Sequence, residues 1–156
     1  MGLWNRLIGT GPVEEQDARS VLPELLASYR EEVRLARQMR EHADHAPHQV
    51  GAQQLRAVAE EQDRLAQLLR DKISALGGEV SNHIAPLRGG KNHWARVSHD
   101  LEESQALRRH YNEQAIRWDP HLPDVVALYR ILEQEKARII ASLRDIALRA
   151  DPHALD

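Results

Sequence analysis

Three histidines in the stretch EHADHAPH have a spacing that metal ligands can have. His42, His45 and His48 recur every third position, with Glu41 directly before them and Asp44 between the first two. Neutral imidazoles at this spacing can bind zinc, nickel or copper. A proline before the last histidine disturbs the helical spacing, so a polar, solvated loop is the other interpretation. Both interpretations stay open on the sequence.

The other polar stretches match no catalytic pattern. Gly89-Gly90-Lys91 lacks the earlier glycine that a phosphate-binding loop requires. The serines and histidines form no recognisable nucleophile and base arrangement. LRRHYNEQAIRW (107–118) mixes basic and aromatic residues, as nucleic-acid-binding segments do, but neighbouring glutamates dilute its charge. We therefore predict a solvated or subunit-facing surface there, with no nucleic acid bound.

Composition favours a single all-α domain. The chain has 156 residues, a formal net charge of -3 and no cysteine, so disulfides and thiolate metal sites are excluded. Such a chain fits a reducing compartment, and we expect a cytoplasmic protein without a membrane span. Helix-favouring Ala, Leu, Glu, Arg and Gln dominate, and β-branched residues are sparse.

Apolar residues recur at helical spacing in four segments. The predicted helices run from about Ser20 to His45, from His48 to Leu76, from Asn92 to just before Asp119, and from Asp124 to Ala150. The sequence thus predicts a four-helix bundle over 20–150. Residues 1–19 and 151–156 are predicted to be terminal tails.

The connector between the second and third predicted helices decides the topology. Residues 77–92 contain four glycines and only a few apolar side chains. Sixteen extended residues reach roughly 53 Å, and the second helix is about 42 Å long at ~1.5 Å per residue. The connector can therefore cross the whole bundle, and we predict an antiparallel bundle with this long crossover.

The stretch LLRDKISALGG, which follows an acidic run in the second helix, resembles the ferritin-like superfamily in the rubrerythrin and bacterioferritin style. The resemblance covers about residues 20–150. It implies a di-iron site in which two helices each provide a glutamate and the other two each provide Glu-x-x-His. Residues i and i+3 share a helix face, so one turn can offer two ligands.

At the positions that correspond to those ligands, this chain has other residues. The phase of the apolar stripe places Gln62-x-x-Leu65 inward on the second helix and Lys136-x-x-Ile139 inward on the fourth. On the first helix the family spacing falls near Tyr29, with Glu32 on the flank. The third helix is predicted to turn Leu101, Ser104 and Gln105 inward and Glu102 and Glu103 outward. The resemblance therefore implies a member without the metal centre, without a cofactor and without ferroxidase, peroxidase or oxygenase activity.

Lys136 has two interpretations. In the first it is a buried polar residue that pairs with Glu32 or bonds to Tyr29 and Gln62. In the second it lies at the edge of the stripe and extends its ammonium group to water. Because an unpartnered buried ammonium is costly, we prefer the second.

The sequence thus predicts a non-catalytic structural or protein-interaction module that forms a homodimer or a higher homo-oligomer. The polar inward stripe of the third helix favours this, because it suits an interface better than a core. The alternative is a metal-binding or redox protein that uses His42, His45 and His48.

The N-terminal stretch GLWNRLIG places Leu3, Trp4, Leu7 and Ile8 on one helical face. These four residues are candidates for docking a partner protein. The other interpretation is that they pack back on their own bundle or on a second copy.

Overall fold

Four long helices make up most of the chain that the structure, a computed structural model, describes: residues 12–154, with side chains from residue 18. Helix α1 spans Pro12–Asp44, α2 spans Gln49–Ala75, α3 spans His93–Trp118 and α4 spans Pro123–Arg149. Within this range there is no strand. The all-α prediction is confirmed.

The helices form two hairpins that pack side by side. Helix α1 packs against α2 and α3, and α4 packs against α3 and α2, so the order around the bundle is α1, α2, α4, α3. In this order each helix has its hairpin mate on one side and a helix of the other hairpin on the other side.

The connector between α2 and α3 runs the length of the bundle. At its start, a Cβ atom added to Gly78 would lie 2.9 Å from Leu22, near the beginning of α1. At its end, the Arg88 carbonyl oxygen lies 2.8 Å from Nε2 of His42, near the end of α1. The predicted crossover is therefore present, and it brings the start of α3 to the end of α1.

The helix boundaries have local causes. Asn92 caps α3, since its side-chain oxygen accepts a hydrogen bond of 2.8 Å from the Ala95 amide. Helix α2 ends where Gly77 takes a φ of 80° and the Gly78 amide donates to the Ile73 carbonyl at 2.9 Å. Such a left-handed glycine satisfies the last carbonyl groups of a helix.

Helix α1 begins at Pro12, ahead of the predicted start near Ser20. Proline suits the first position of a helix, and the acidic residues that follow favour a helix N-terminus. Pro23 consequently lies inside the helix and not in its first turn. The docking candidates Leu3, Trp4, Leu7 and Ile8 lie outside the described residues.

The core is a continuous apolar layer to which all four helices contribute. Its completely buried members include Leu25, Leu35, Met39, Leu55, Leu69, Ile73, Val97, Tyr111, Tyr129, Leu132 and Leu143. Burial of this many large side chains provides the main driving force for folding.

The phase predicted for α3 is partly wrong. Ser104 is buried as predicted, but Leu101 and Gln105 are only half-buried, whereas Asp100, Leu107 and Tyr111 are buried. Glu103, predicted to point outward, keeps only 14% of its side chain exposed because it pairs with Arg34. The buried face of α3 is polar as well as apolar, so hydrophobicity alone does not define its phase.

No helix within residues 12–154 is long and apolar enough to cross a membrane.

Replacing Gly77 by alanine tests the cause of the α2 terminus. Its left-handed backbone disfavours a Cβ atom, so Gly77→Ala should reduce the free energy of unfolding by about 1 kcal/mol in urea denaturation. Gly89→Ala is the matched control, because a Cβ there meets no atom within 4 Å. Equal stabilities of the two variants would contradict this account.

Candidate functional site

Four polar side chains, one from each helix, meet in the centre of the bundle. They are Glu32 of α1, Gln62 of α2, Tyr111 of α3 and Lys136 of α4, and each is completely buried. We call these four residues the central cluster. The helices position them because each lies on the core-facing side of its own helix.

Hydrogen bonds join all four members of the central cluster. The Lys136 ammonium donates to Oε2 of Glu32 at 2.7 Å and to Oε1 of Gln62 at 2.9 Å. The Tyr111 hydroxyl donates to the other oxygen of Glu32. Both oxygens of Glu32 therefore accept hydrogen bonds, which is the pattern of an ionised carboxylate paired with an ammonium group.

Burial dominates the electrostatics of this pair. It raises the pKa of Glu32 above its ordinary value, although the Lys136 ammonium and the Tyr111 hydroxyl act in the opposite direction. It also lowers the pKa of Lys136, against the attraction of Glu32. Tyr111 has its pKa raised by burial and by the neighbouring Glu32 charge. Each partner thus depends on the other to stay charged.

The preferred interpretation of Lys136 is wrong, because its side chain does not extend to water. It is completely buried and pairs with Glu32, which is the interpretation that we set aside. The phenol that bonds to Glu32 comes from Tyr111, whereas Tyr29 is a nearly buried core residue. Tyr111 lies seven positions, or about two helical turns, after the buried Ser104. This spacing could have identified Tyr111 as a core-facing residue of α3.

The remaining positions singled out by the family spacing carry no metal-binding group. Leu65 and Ile139 are buried apolar residues, and Ser104 is buried on α3. Among the side chains of residues 18–154, no group of three or more from histidine, aspartate or glutamate is arranged to hold a metal ion.

A second polar cluster joins α1, the connector and α3. Oε1 of Gln38 accepts from the Arg88 amide at 2.7 Å and from Arg34 at 2.8 Å. Nε2 of Gln38 donates to Asp100 at 2.8 Å, and Arg34 pairs with Glu103. This crossover cluster holds the connector to the bundle and explains the polar inner face of α3.

His42 belongs to the crossover cluster. Its Nδ1 lies 2.7 Å from Asp100, and its Nε2 donates to the Arg88 carbonyl oxygen, so both nitrogens are engaged. His45 is exposed, with its Nδ1 2.9 Å from the carbonyl oxygen of Glu41. His48 is exposed at the start of α2. The structure does not bring the three imidazoles together.

Comparison with known proteins gives a match of fold only. Neither a protein-family model nor a curated protein matches the sequence. Among solved structures, the chain is similar to a dodecameric thioferritin, the bacterioferritin-related protein from Bacteroides fragilis. The TM-score is 0.74 and the identity 17%, over 84% of this chain and 86% of that one. The fold is that of a ferritin-like bundle.

Removing one charge of the Glu32–Lys136 ion pair should destabilise the ferritin-like bundle. Lys136→Met leaves a buried carboxylate without its cation, which should cost about 3–5 kcal/mol at neutral pH. The double variant Glu32→Gln, Lys136→Met should recover most of that loss, because neither charge remains. Urea denaturation followed by circular dichroism measures both, and Lys91→Met on the surface is the control.

The loss in Lys136→Met should shrink as the pH falls from neutral towards 5. Burial raises the pKa of Glu32 in the folded state, so the folded variant takes up a proton before the unfolded chain does. A loss that is the same at both pH values, or no loss at neutral pH, would show that Glu32 does not depend on Lys136.

Proposed function

We propose that this protein is a non-catalytic ferritin-like bundle, a structural or protein-interaction module that associates with copies of itself. In this proposal the di-iron site of the fold has been replaced by the central cluster. The observation that carries it is the Lys136 ammonium, bonded to Glu32 and Gln62 at the middle of the bundle.

The residues of the central cluster do not fit a di-iron centre. Such a centre needs several carboxylates to balance two metal charges, and imidazoles to complete the coordination. Here one carboxylate, Glu32, is already neutralised by an ammonium group, and an amide, a phenol and apolar side chains surround it. An ammonium cannot coordinate a metal and repels a cation.

The alternative function, a metal or redox site at His42, His45 and His48, gains no support from the geometry. His42 is buried and bonded through both ring nitrogens. The two exposed histidines can attract added metal only weakly, since a single side chain gives little affinity without further ligands.

Self-association is supported by the similar solved structure and by the surface. The thioferritin from Bacteroides fragilis is dodecameric. In this chain several large apolar side chains are exposed on the helices, among them Val50, Leu68, Ile116, Ile131 and Leu148. Exposed apolar side chains that form a contiguous patch mark surfaces that associate.

The metal content of the protein tests the proposal that the central cluster has replaced the di-iron site. Protein purified without an affinity tag, incubated with ferrous iron and desalted should retain less than about a tenth of an equivalent. It should also leave the rate of ferrous oxidation in air unchanged.

The variant His45→Ala, His48→Ala is the matched control, because it removes exposed imidazoles and keeps the central cluster. Stoichiometric metal in the wild type that this variant loses would favour the histidine site. Stoichiometric iron that Glu32→Gln loses would show that the centre is functional.

A further inference from the structure

Helices α2 and α4 share an outer face that carries exposed apolar side chains. Leu68 is 37% exposed and Ile131 is 47% exposed. Leu68 lies fourteen positions after Gln54, and Ile131 lies fourteen before Asp145, so each shares a helix face with that residue. Gln54 and Asp145 line one shallow depression between α2 and α4. The two apolar side chains therefore belong to the same outer face.

Leu68 and Ile131 also lie at the same height along the bundle. The two helices are antiparallel, and Gln62 of α2 is opposite Lys136 of α4. From this level, Leu68 lies further along α2 and Ile131 lies further back along α4. Because the two helices run in opposite directions, both side chains are displaced towards the same end of the bundle. Both exposed side chains therefore lie on the outer face towards the end of α2, and we call these two residues the apolar patch.

The opposite end of this face has an apolar hollow. A cavity of about 270 Å³ opens beside Val50, which is 64% exposed, and is lined by Ile146 and Ala150 among others. Gln54 and Ile146 line both this cavity and the depression described above, so the two are continuous. Between the two ends the small side chains of Ala57 and Ser142 allow close approach.

We propose that this face is the interface between two copies of the chain, packed antiparallel. The apolar patch of each copy then lies on the hollow of the other, with Leu68 facing Val50 of the second copy. A two-fold axis perpendicular to the helices exchanges the two ends of the face, so a single surface satisfies both partners. This inference rests on the proposed self-association.

The charges on the face are compatible with such a contact. Asp145 and Arg149 lie 3.4 Å apart, and Glu135 and Arg138 lie 3.5 Å apart. In each of these two pairs the acidic group has a basic neighbour on its own helix, so the pairs add no net charge to the contact. Like-charge repulsion, which often prevents homomeric contacts, is absent from these pairs.

The size of the face is sufficient for a stable dimer. Helices α2 and α4 each have 27 residues, and such a helix is about 40 Å long. Two packed helices present a surface about 20 Å wide, so the face offers roughly 800 Å² per copy. That is the area that each partner of a standard protein interface buries.

Light scattering during size-exclusion chromatography tests the interface. The variant Leu68→Glu, Ile131→Glu should dissociate about a hundredfold or more readily than the wild type, because it buries charges in the contact. The variant Ile116→Glu, Leu148→Glu makes the same chemical change on α3 and at the outward side of α4, and should associate like the wild type. Circular dichroism verifies that each variant is folded.

Disulfide crosslinking tests the antiparallel arrangement, and the chain has no native cysteine to interfere. Mixing the single variants Val50→Cys and Leu68→Cys should give a crosslinked dimer on mild oxidation, since a disulfide requires Cα atoms about 4.4–6.8 Å apart. A crosslink between Leu68→Cys and Ile131→Cys instead would show that the copies are parallel and overturn the arrangement. This test uses wild-type surfaces elsewhere, so it decides the matter even if the glutamate variant does not fold.

The outcomes separate this inference from the proposed function. A wild-type protein that stays monomeric at high concentration contradicts both. A wild-type oligomer that the Leu68→Glu, Ile131→Glu substitution leaves intact overturns only the interface.

Discussion

The ion pair between Glu32 and Lys136 constrains the whole bundle. A charged pair in a bundle core is expensive unless every hydrogen-bonding position is used, because both groups lose their hydration. Gln62 and Tyr111 provide additional bonds, and together the four side chains come from four different helices. A shift of α1 or α4 by a single turn would separate the two charges, and a shift of α2 or α3 would remove a hydrogen bond from one of them. We therefore interpret the pair as a device that fixes the register of the helices.

The crossover cluster solves a related problem at one end of the bundle. A connector without helix or strand has backbone groups that need partners. Gln38 and His42 bind the amide and the carbonyl of Arg88, and Asp100 of α3 binds both side chains. The polar side chains that α3 presents to the crossover cluster thus find their hydrogen-bond partners within the same chain. The polarity of α3 therefore does not mark an interface between copies, and the interface that we propose lies on α2 and α4 instead.

Much of the fold could be predicted because it depends on local signals. Gly77 and Asn92 act at helix ends, and strong apolar periodicity places Gln62 and Leu65 on the core side of α2. Periodicity places Lys136 on the inner face of α4 but cannot decide between a buried pair and an ammonium extended to water, since its partner Glu32 lies more than a hundred positions away and only the folded chain brings them together. The phase of α3 failed for the same reason. Its buried polar residues are defined by partners on α1, which single-helix periodicity does not detect.

An ammonium–carboxylate pair lies in the middle of this ferritin-like bundle, and we propose that it replaces a metal there. The most direct measurement is anomalous diffraction at the iron edge from crystals grown with excess ferrous iron. We predict no anomalous peak within the bundle, with the Lys136 nitrogen still bonded to Glu32 and Gln62. An iron peak coordinated by Glu32, with Lys136 displaced, would contradict the account.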